Sequence, residues 1–207
     1  MGLRLRLLSW WTPKSIIYRE LVRVDTLTTD ALENLLNKYS SNKKEGKPNK
    51  EVILKESVEK RRDLMAFKHV NLVTSLVDIL GKEEAIRLGR ETMFKVGENL
   101  GRETGQKLGV GRSIKDLIGA AKILYRILGI EFKVEIKSSA SAVLIINHCS
   151  LSTNYSELTC QILSATDEGV IRGLNTNIKM RFTERMTSGL TKCKATIELG
   201  NNGGINY

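Results

Sequence analysis

The chain has no apolar run near the ~18 residues that a membrane-spanning helix needs, which excludes an integral helical membrane protein. It has three cysteines among 207 residues, at 149, 160 and 193. An odd number at wide spacings argues against a disulfide framework and for a reducing, cytoplasmic setting. The opening MGLRLRLLSWW is too short, and too broken by Arg4 and Arg6, for a secretory signal. Arg6 also stands where a myristoylation site wants Ser or Thr. There is no internal repeat and no phosphate-cradling glycine loop: Gly109-Val110-Gly111-Arg112 falls short of either nucleotide fingerprint. No His/Cys spacing marks a catalytic dyad. No segment is rich enough in Arg, Asn or Gln to read as a DNA-recognition helix.

What is present suits one domain, or one domain with an arm. Hydrophobic residues make up 41% of the chain, enough for a core, and charged residues 27%. The net charge is +10, and the excess is densest at the start: residues 1–62 hold 14 basic and 8 acidic side chains. That balance fits nucleic acid, an anionic membrane surface, an acidic partner, or simply a lysine-rich solvated face. Residues 1–50 read as a basic N-terminal helical arm and linker, 51–200 as an α+β domain, and 201–207 as a flexible tail.

In the arm, Thr12-Pro13 signals a helix start, followed by Ile16, Ile17, Leu21 and Val24. A second short helix is expected over 28–39, capped by Thr28 or Thr29, with Leu32, Leu35 and Leu36 on one face. The connection VDTLTT between them would make a degenerate helix-turn-helix. Residues 40–50, SSNKKEGKPNK, have nothing to bury and read as a linker. A long amphipathic helix is expected over 51–80. From Lys82 the next helix carries small residues every four positions: Gly81, Ala85, Gly89, Gly97, Gly101, Gly105 and Gly109, with Met93 the exception. Each interior glycine costs up to about 1 kcal/mol against alanine, so such a stripe needs a compensating close approach by another element. Packing on a helix or sheet, or a dimer seam, would provide it.

A helix from Ser113 to Leu128 comes next, stopped by Gly129. Residues 132–139 alternate as a half-buried strand, and AVLIINHC (142–149) pairs with it. A helix capped by Thr153 or Asn154 runs to Leu174. Residues 178–186 and 192–200 then form a hairpin around Ser188-Gly189. Hairpins and segregated helices predict an α+β fold, an antiparallel four-stranded sheet packed against several helices.

The candidate site lies in the last third. Cys149 ends a strand, Cys160 and Asp167 lie on the next helix, and Glu184 and Cys193 belong to the closing strands. Such a set could ligate a metal, or supply a nucleophile and a proton carrier. Equally, free cysteines are among the most buried residues, and these could be three small core side chains. His148 and Cys149 are neighbours on a strand and face opposite ways. His69 reads as structural or surface.

The order of elements resembles the 4-vinyl-reductase-type, or hydrocarbon-binding, domain, whose superfamily includes TRAPP vesicle-tethering subunits and haem-type nitric-oxide sensors. The finer motif is similar to the L-2-amino-thiazoline-4-carboxylate hydrolase group. Cys149, Cys160, Asp167, Gly173-Leu174-Asn175, Thr183, Gly189 and Cys193 carry the likeness, over roughly residues 65–200. Thr187 stands three residues after Glu184, where hydrocarbon-binding domains often have Cys. Ser150 comes after Cys149, where the hydrolase-like group often has Pro.

The resemblance implies a cytoplasmic, homodimeric protein binding a small, partly apolar molecule, with Cys149, Cys160, Asn175, Thr183 and Cys193 at the ligand. Zinc held by Cys149, Cys160 and Cys193 with a fourth ligand is the cofactor it allows. The alternative is hydrolysis of a cyclic C–N substrate, with Cys149 or Cys160 as nucleophile and Asp167 or Glu184 moving the proton. A third reading is a ligand-responsive regulator that binds DNA through the basic arm.

Overall fold

The glycines spaced four apart mark the closest helix contact in the molecule. The computed structural model describes residues 3–40, 56–111, 114–138 and 140–199. Within them α4 (Lys82–Leu108) packs against α6 (Glu157–Leu174) more extensively than any other pair of elements touches. A β-carbon at Gly97 would overlap the Thr166 carbonyl oxygen, and one at Gly101 that of Val170. The contact is reciprocal: β-carbons at Gly169 and Gly173 would overlap the carbonyls of Phe94 and Glu98. Two helix backbones therefore meet with no side chain between them. From Gly89 to Gly101 the stripe is spent inside the chain on packing against α6.

The described residues form four further α-helices: α1 (Leu3–Trp10), α2 (Lys14–Tyr39), α3 (Val58–Leu80) and α5 (Ile114–Leu128). The expected pair of short helices within 13–39 is one helix of 26 residues, α2. Its turn-like polar centre is satisfied within the helix. Thr26 and Thr28 hydroxyls donate to the carbonyls of Val22 and Val24, at 3.0 and 2.8 Å. Asp25 is buried and paired with Arg61 on α3. Leu21, Asp25, Thr28, Leu32 and Leu35 form one buried stripe at helical spacing. No helix-turn-helix exists there.

Leu32, Leu35, Val73, Leu76, Met93 and Ile162 join α2, α3, α4 and α6 in one core cluster. A second joins α1, α2, α3 and α5 through Leu5, Leu21, Met65, Ala66 and Ile123. Arg126 on α5 holds the end of α1, donating to the carbonyls of Leu8 and Ser9 and to Thr12 Oγ1 at 3.0–3.2 Å. The start of the predicted long helix, 51–55, the cap Ser113 and the tail 201–207 lie outside the described residues, as does nearly all of the linker.

The sheet is antiparallel, with β1 (Ile130–Ser138), β2 (Ser141–Cys149), β3 (Ile178–Glu184) and β4 (Cys193–Leu199) in the order β1-β2-β4-β3. Alternation sends Ile178, Met180 and Phe182 inward and Lys179, Arg181 and Thr183 outward. Leu144, Ile146, Cys193 and Ala195 line the same face beside Tyr125 of α5. The architecture is the expected α+β one. The cap of α6 is Ser156, whose hydroxyl accepts from Thr159 N at 3.1 Å, rather than Thr153 or Asn154. Among the described residues no helix is long and apolar enough to cross a membrane.

Candidate functional site

Where α3, α6 and the inner face of the sheet converge they leave a cavity of about 80 Å³. α3 brings Met65 and His69 to it, and the sheet brings Ile130, Ile146 and Phe182. Cys149 reaches it from the end of β2, Cys160 and Asp167 from α6, and Cys193 from the start of β4. The register explains part of this: Ile146 pairs with Cys193, which places the first residue of β4 three positions from Cys149 across the ladder. The turn after β2 folds under the site. Cys149 O accepts from Ser152 N and Oγ at 3.1 and 2.7 Å, and Tyr155 then points back at the cavity.

The other expected site residues do not line it. Glu184 pairs with Lys194 at 2.9 Å on the sheet surface. Strict alternation from Phe182 would have turned Glu184 inward, but the register shifts between these two residues, and such a bulge re-aims the side chains beyond it. Thr183 is the extra residue; it is exposed and its hydroxyl donates to Lys194 O at 3.3 Å. Asn175 ends α6 and its Oδ1 accepts from Asn177 N at 2.9 Å. His148 is exposed, facing away from Cys149's side as strand geometry requires.

The cavity suppresses charge. Burial pushes the Cys149 thiol up to about 12, even though the backbone N–H groups of Leu151 and Ser152 favour its charged form. Burial likewise raises Cys160, opposed by the hydroxyl of Thr187, and Cys193, opposed by Met186 N at 3.3 Å. All three are therefore thiols, not thiolates, near neutral pH. Burial, with Glu168 adding to it, pushes Asp167 up to about 7.

A zinc ion needs deprotonated sulfur and a convergent ligand set. Among the described residues no group of three or more His, Cys, Asp or Glu side chains is placed to hold a metal ion. The expected set Cys149, Cys160 and Cys193 is not placed to hold one.

Two further residues matter that the sequence did not single out for this role. His69 is 1% exposed and sits in a buried chain. The Thr28 hydroxyl donates to Val24 O, so it accepts from His69 Nε2–H at 2.8 Å; Tyr155 O–H then donates to Nδ1 at 2.6 Å. Burial, with Lys68 adding to it, holds His69 down at about 3, so the ring is neutral. Its signal was its place on the stripe Met65, His69, Val73, Leu76, all buried on α3. Arg185 comes directly after β3 and lines the cavity. Its Nη2 donates to Ser164 Oγ at 3.1 Å, and its guanidinium lies 5.5 Å from the centre of the Phe182 ring.

No protein-family model and no curated protein matches this chain. Its fold is similar to a trafficking protein particle complex subunit 3 from Naegleria fowleri, solved covalently bound to palmitic acid. The identity is 16% and the TM-score 0.54, over 72% of this chain and 99% of that one. A looser likeness, with a TM-score of 0.48 and 18% identity over 82% of this chain and 89% of that one, is to the phenol-responsive sensory domain of the transcription activator PoxR, solved with phenol. At 16% identity the first likeness establishes a TRAPP-like fold and no more; the second falls short even of that.

Proposed function

We propose that this protein binds a small, compact and largely apolar molecule in the cavity between α3, α6 and the sheet, as a hydrocarbon-binding domain with a cysteine-lined pocket. The observation that carries the reading is the cavity itself, walled by Met65, Ile130, Ile146, Leu163 and Phe182 together with neutral thiols. Protein interiors leave few gaps larger than a water molecule, because unfilled space forfeits dispersion contacts. The TRAPP-like fold adds support, since the solved subunit of that fold carries a fatty acid.

Size sets the ligand class. A cavity of about 80 Å³ is roughly half the ~150 Å³ that takes up benzene. A single ring fits after modest side-chain movement, and a sixteen-carbon chain does not without large rearrangement. Protonated cysteines suit this role, as polarisable apolar walls.

The hydrolase reading ranks below binding. A thiol pushed up to about 12 supplies almost no nucleophile at neutral pH, and Glu184 is not at the cavity. The regulator reading loses its helix-turn-helix. Native mass spectrometry of the purified protein tests the proposal: a bound mass of a small organic molecule, lost on unfolding, is expected. Bare protein that also takes up no ring compound from solution would contradict it.

A further inference from the structure

Residues 167 and 168 are adjacent acids on one helix with opposite fates. Glu168 is consumed by the fold. It accepts from Arg90 of α4 at 2.7 Å and from Phe182 N of β3 at 3.3 Å, tying three elements together. Asp167, one residue back, is turned onto the cavity wall. Asp167 is half-buried, and among the described residues its carboxyl group has no hydrogen bond and no ion pair; the hydroxyl of Thr166 beside it is buried without a partner. Some of the cavity's other polar groups are engaged, His69 between Thr28 and Tyr155, Arg185 Nη2 on Ser164, and Cys193 on Met186 N. Arg185 Nε and the Thr187 hydroxyl are buried without a hydrogen-bond partner, and neither can accept from a ligand as a carboxylate does.

A carboxyl group turned into an apolar cavity with nothing to bond is costly. Packing alone would be served better by an apolar side chain. We propose that Asp167 selects the ligand, which presents a hydrogen-bond donor, a hydroxyl or a protonated nitrogen, on its apolar body to this carboxylate. The inference rests on the ligand-binding reading of the cavity and adds the polar half of the ligand to it. A donor is favoured over an acceptor because hydrogen bonds to an ionised carboxylate are about twice as strong as neutral ones. A donor ligand therefore gains more than an acceptor meeting the neutral acid.

Binding of this kind draws Asp167 into its charged form and releases a proton. The titratable and charged groups facing Asp167 come from several elements. Glu168 lies on its own helix, Tyr125 on α5, Tyr155 on the turn after β2, Cys160 on α6, Cys193 on β4, and Cys149 and Arg185 line the same cavity. Both tyrosines and all three thiols are raised by burial, and His69 is held near 3, so none of these titrates between pH 6 and 8. Asp167, at about 7, does.

The test is calorimetry with three probes of one size: toluene without a donor, benzyl alcohol with a neutral donor, and benzylamine with a cationic one. For wild-type protein, at least one donor probe is expected to bind ten or more times tighter than toluene at pH 8. Its affinity should fall about tenfold at pH 6, where the ionised fraction of Asp167 drops by that factor. Which donor probe leads tells the hydroxyl from the protonated nitrogen. Asp167→Asn should keep toluene binding and lose both the preference and its pH dependence. Buffers of different ionisation enthalpy should report proton release by the wild type even if the variant fails to fold. Equal affinity for all three probes, tighter donor binding at pH 6, or a preference that survives in Asp167→Asn would overturn the inference while leaving the cavity a ligand site. Failure of every probe to bind would remove both.

Discussion

Replacing Gly97 by alanine should destabilise the protein, whereas the same change at Gly105, two turns along the same stripe, should not. Alanine is the better helix former by about 1 kcal/mol, so propensity alone predicts a gain at both sites. The structure reverses the sign at Gly97. The new methyl group would lie inside the Thr166 carbonyl oxygen, a backbone atom that cannot swing aside. α4 and α6 would have to separate, at a cost of about 1–3 kcal/mol or more for overpacking, set against the propensity gain. At Gly105 the nearest atom to the added carbon is Leu174 Cδ2 at 3.6 Å, an ordinary contact, and a gain of about 0.5–1 kcal/mol is expected. Thermal unfolding resolves the difference, since 1 kcal/mol moves the midpoint by about 2–4 °C in a chain of this size. Gly97→Ala should melt below wild type and Gly105→Ala at or above it. A Gly97→Ala protein as stable as wild type, or equal losses at both positions, would refute the α4–α6 contact.

The electrostatics give two further expected outcomes. His69 titrates at about 3 when folded against 6.5 when free, a depressed base, so the stability it allows is present above pH 6.5. That stability is lost as pH falls toward 3, at about 1.4 kcal/mol per unit. Asp167 opposes it: its folded value of about 7 exceeds the free 3.8, so its penalty is full above pH 7 and disappears as pH falls to 4. Urea unfolding across pH 4–8 should therefore show a steeper acid loss in Asp167→Asn than in wild type, and a flatter one in His69→Gln; parallel curves would count against both assignments. Cys149, pushed up to about 12, should react with iodoacetamide at pH 8 at least about a hundredfold more slowly in native than in unfolded protein. Peptide mass mapping that finds equal rates would disprove its burial as a thiol.

The fold was legible where local pattern and tertiary packing agree. The strand expected over 178–186 forms, ending at Glu184, and the glycine spacing over 81–109 led to a close helix contact. The partition of α2 was not legible, because Asp25 and the threonines around it look like a turn until Arg61, 36 residues away, neutralises the buried acid. The positions of Cys149, Cys160, Asp167 and Cys193 could be proposed from spacing. The exclusion of Glu184 could not, since it depends on a bulge at Thr183 that alternation does not announce. His69 was visible as a member of a buried stripe, but its partners Thr28 and Tyr155 lie 41 and 86 residues away. A polar residue on an apolar face does not reveal which cavity it borders.

The central claim is that the space beneath Cys149, Cys160 and Cys193 is a place for a ligand. Titration of the ¹⁵N-labelled protein with toluene, monitored by amide chemical shifts, tests it directly. Saturable changes centred on α3, α6 and the inner strands are expected, and Cys160→Phe, which fills the space, should abolish them while the protein stays folded. Shifts scattered over the surface, or unchanged by the filled variant, would contradict the account.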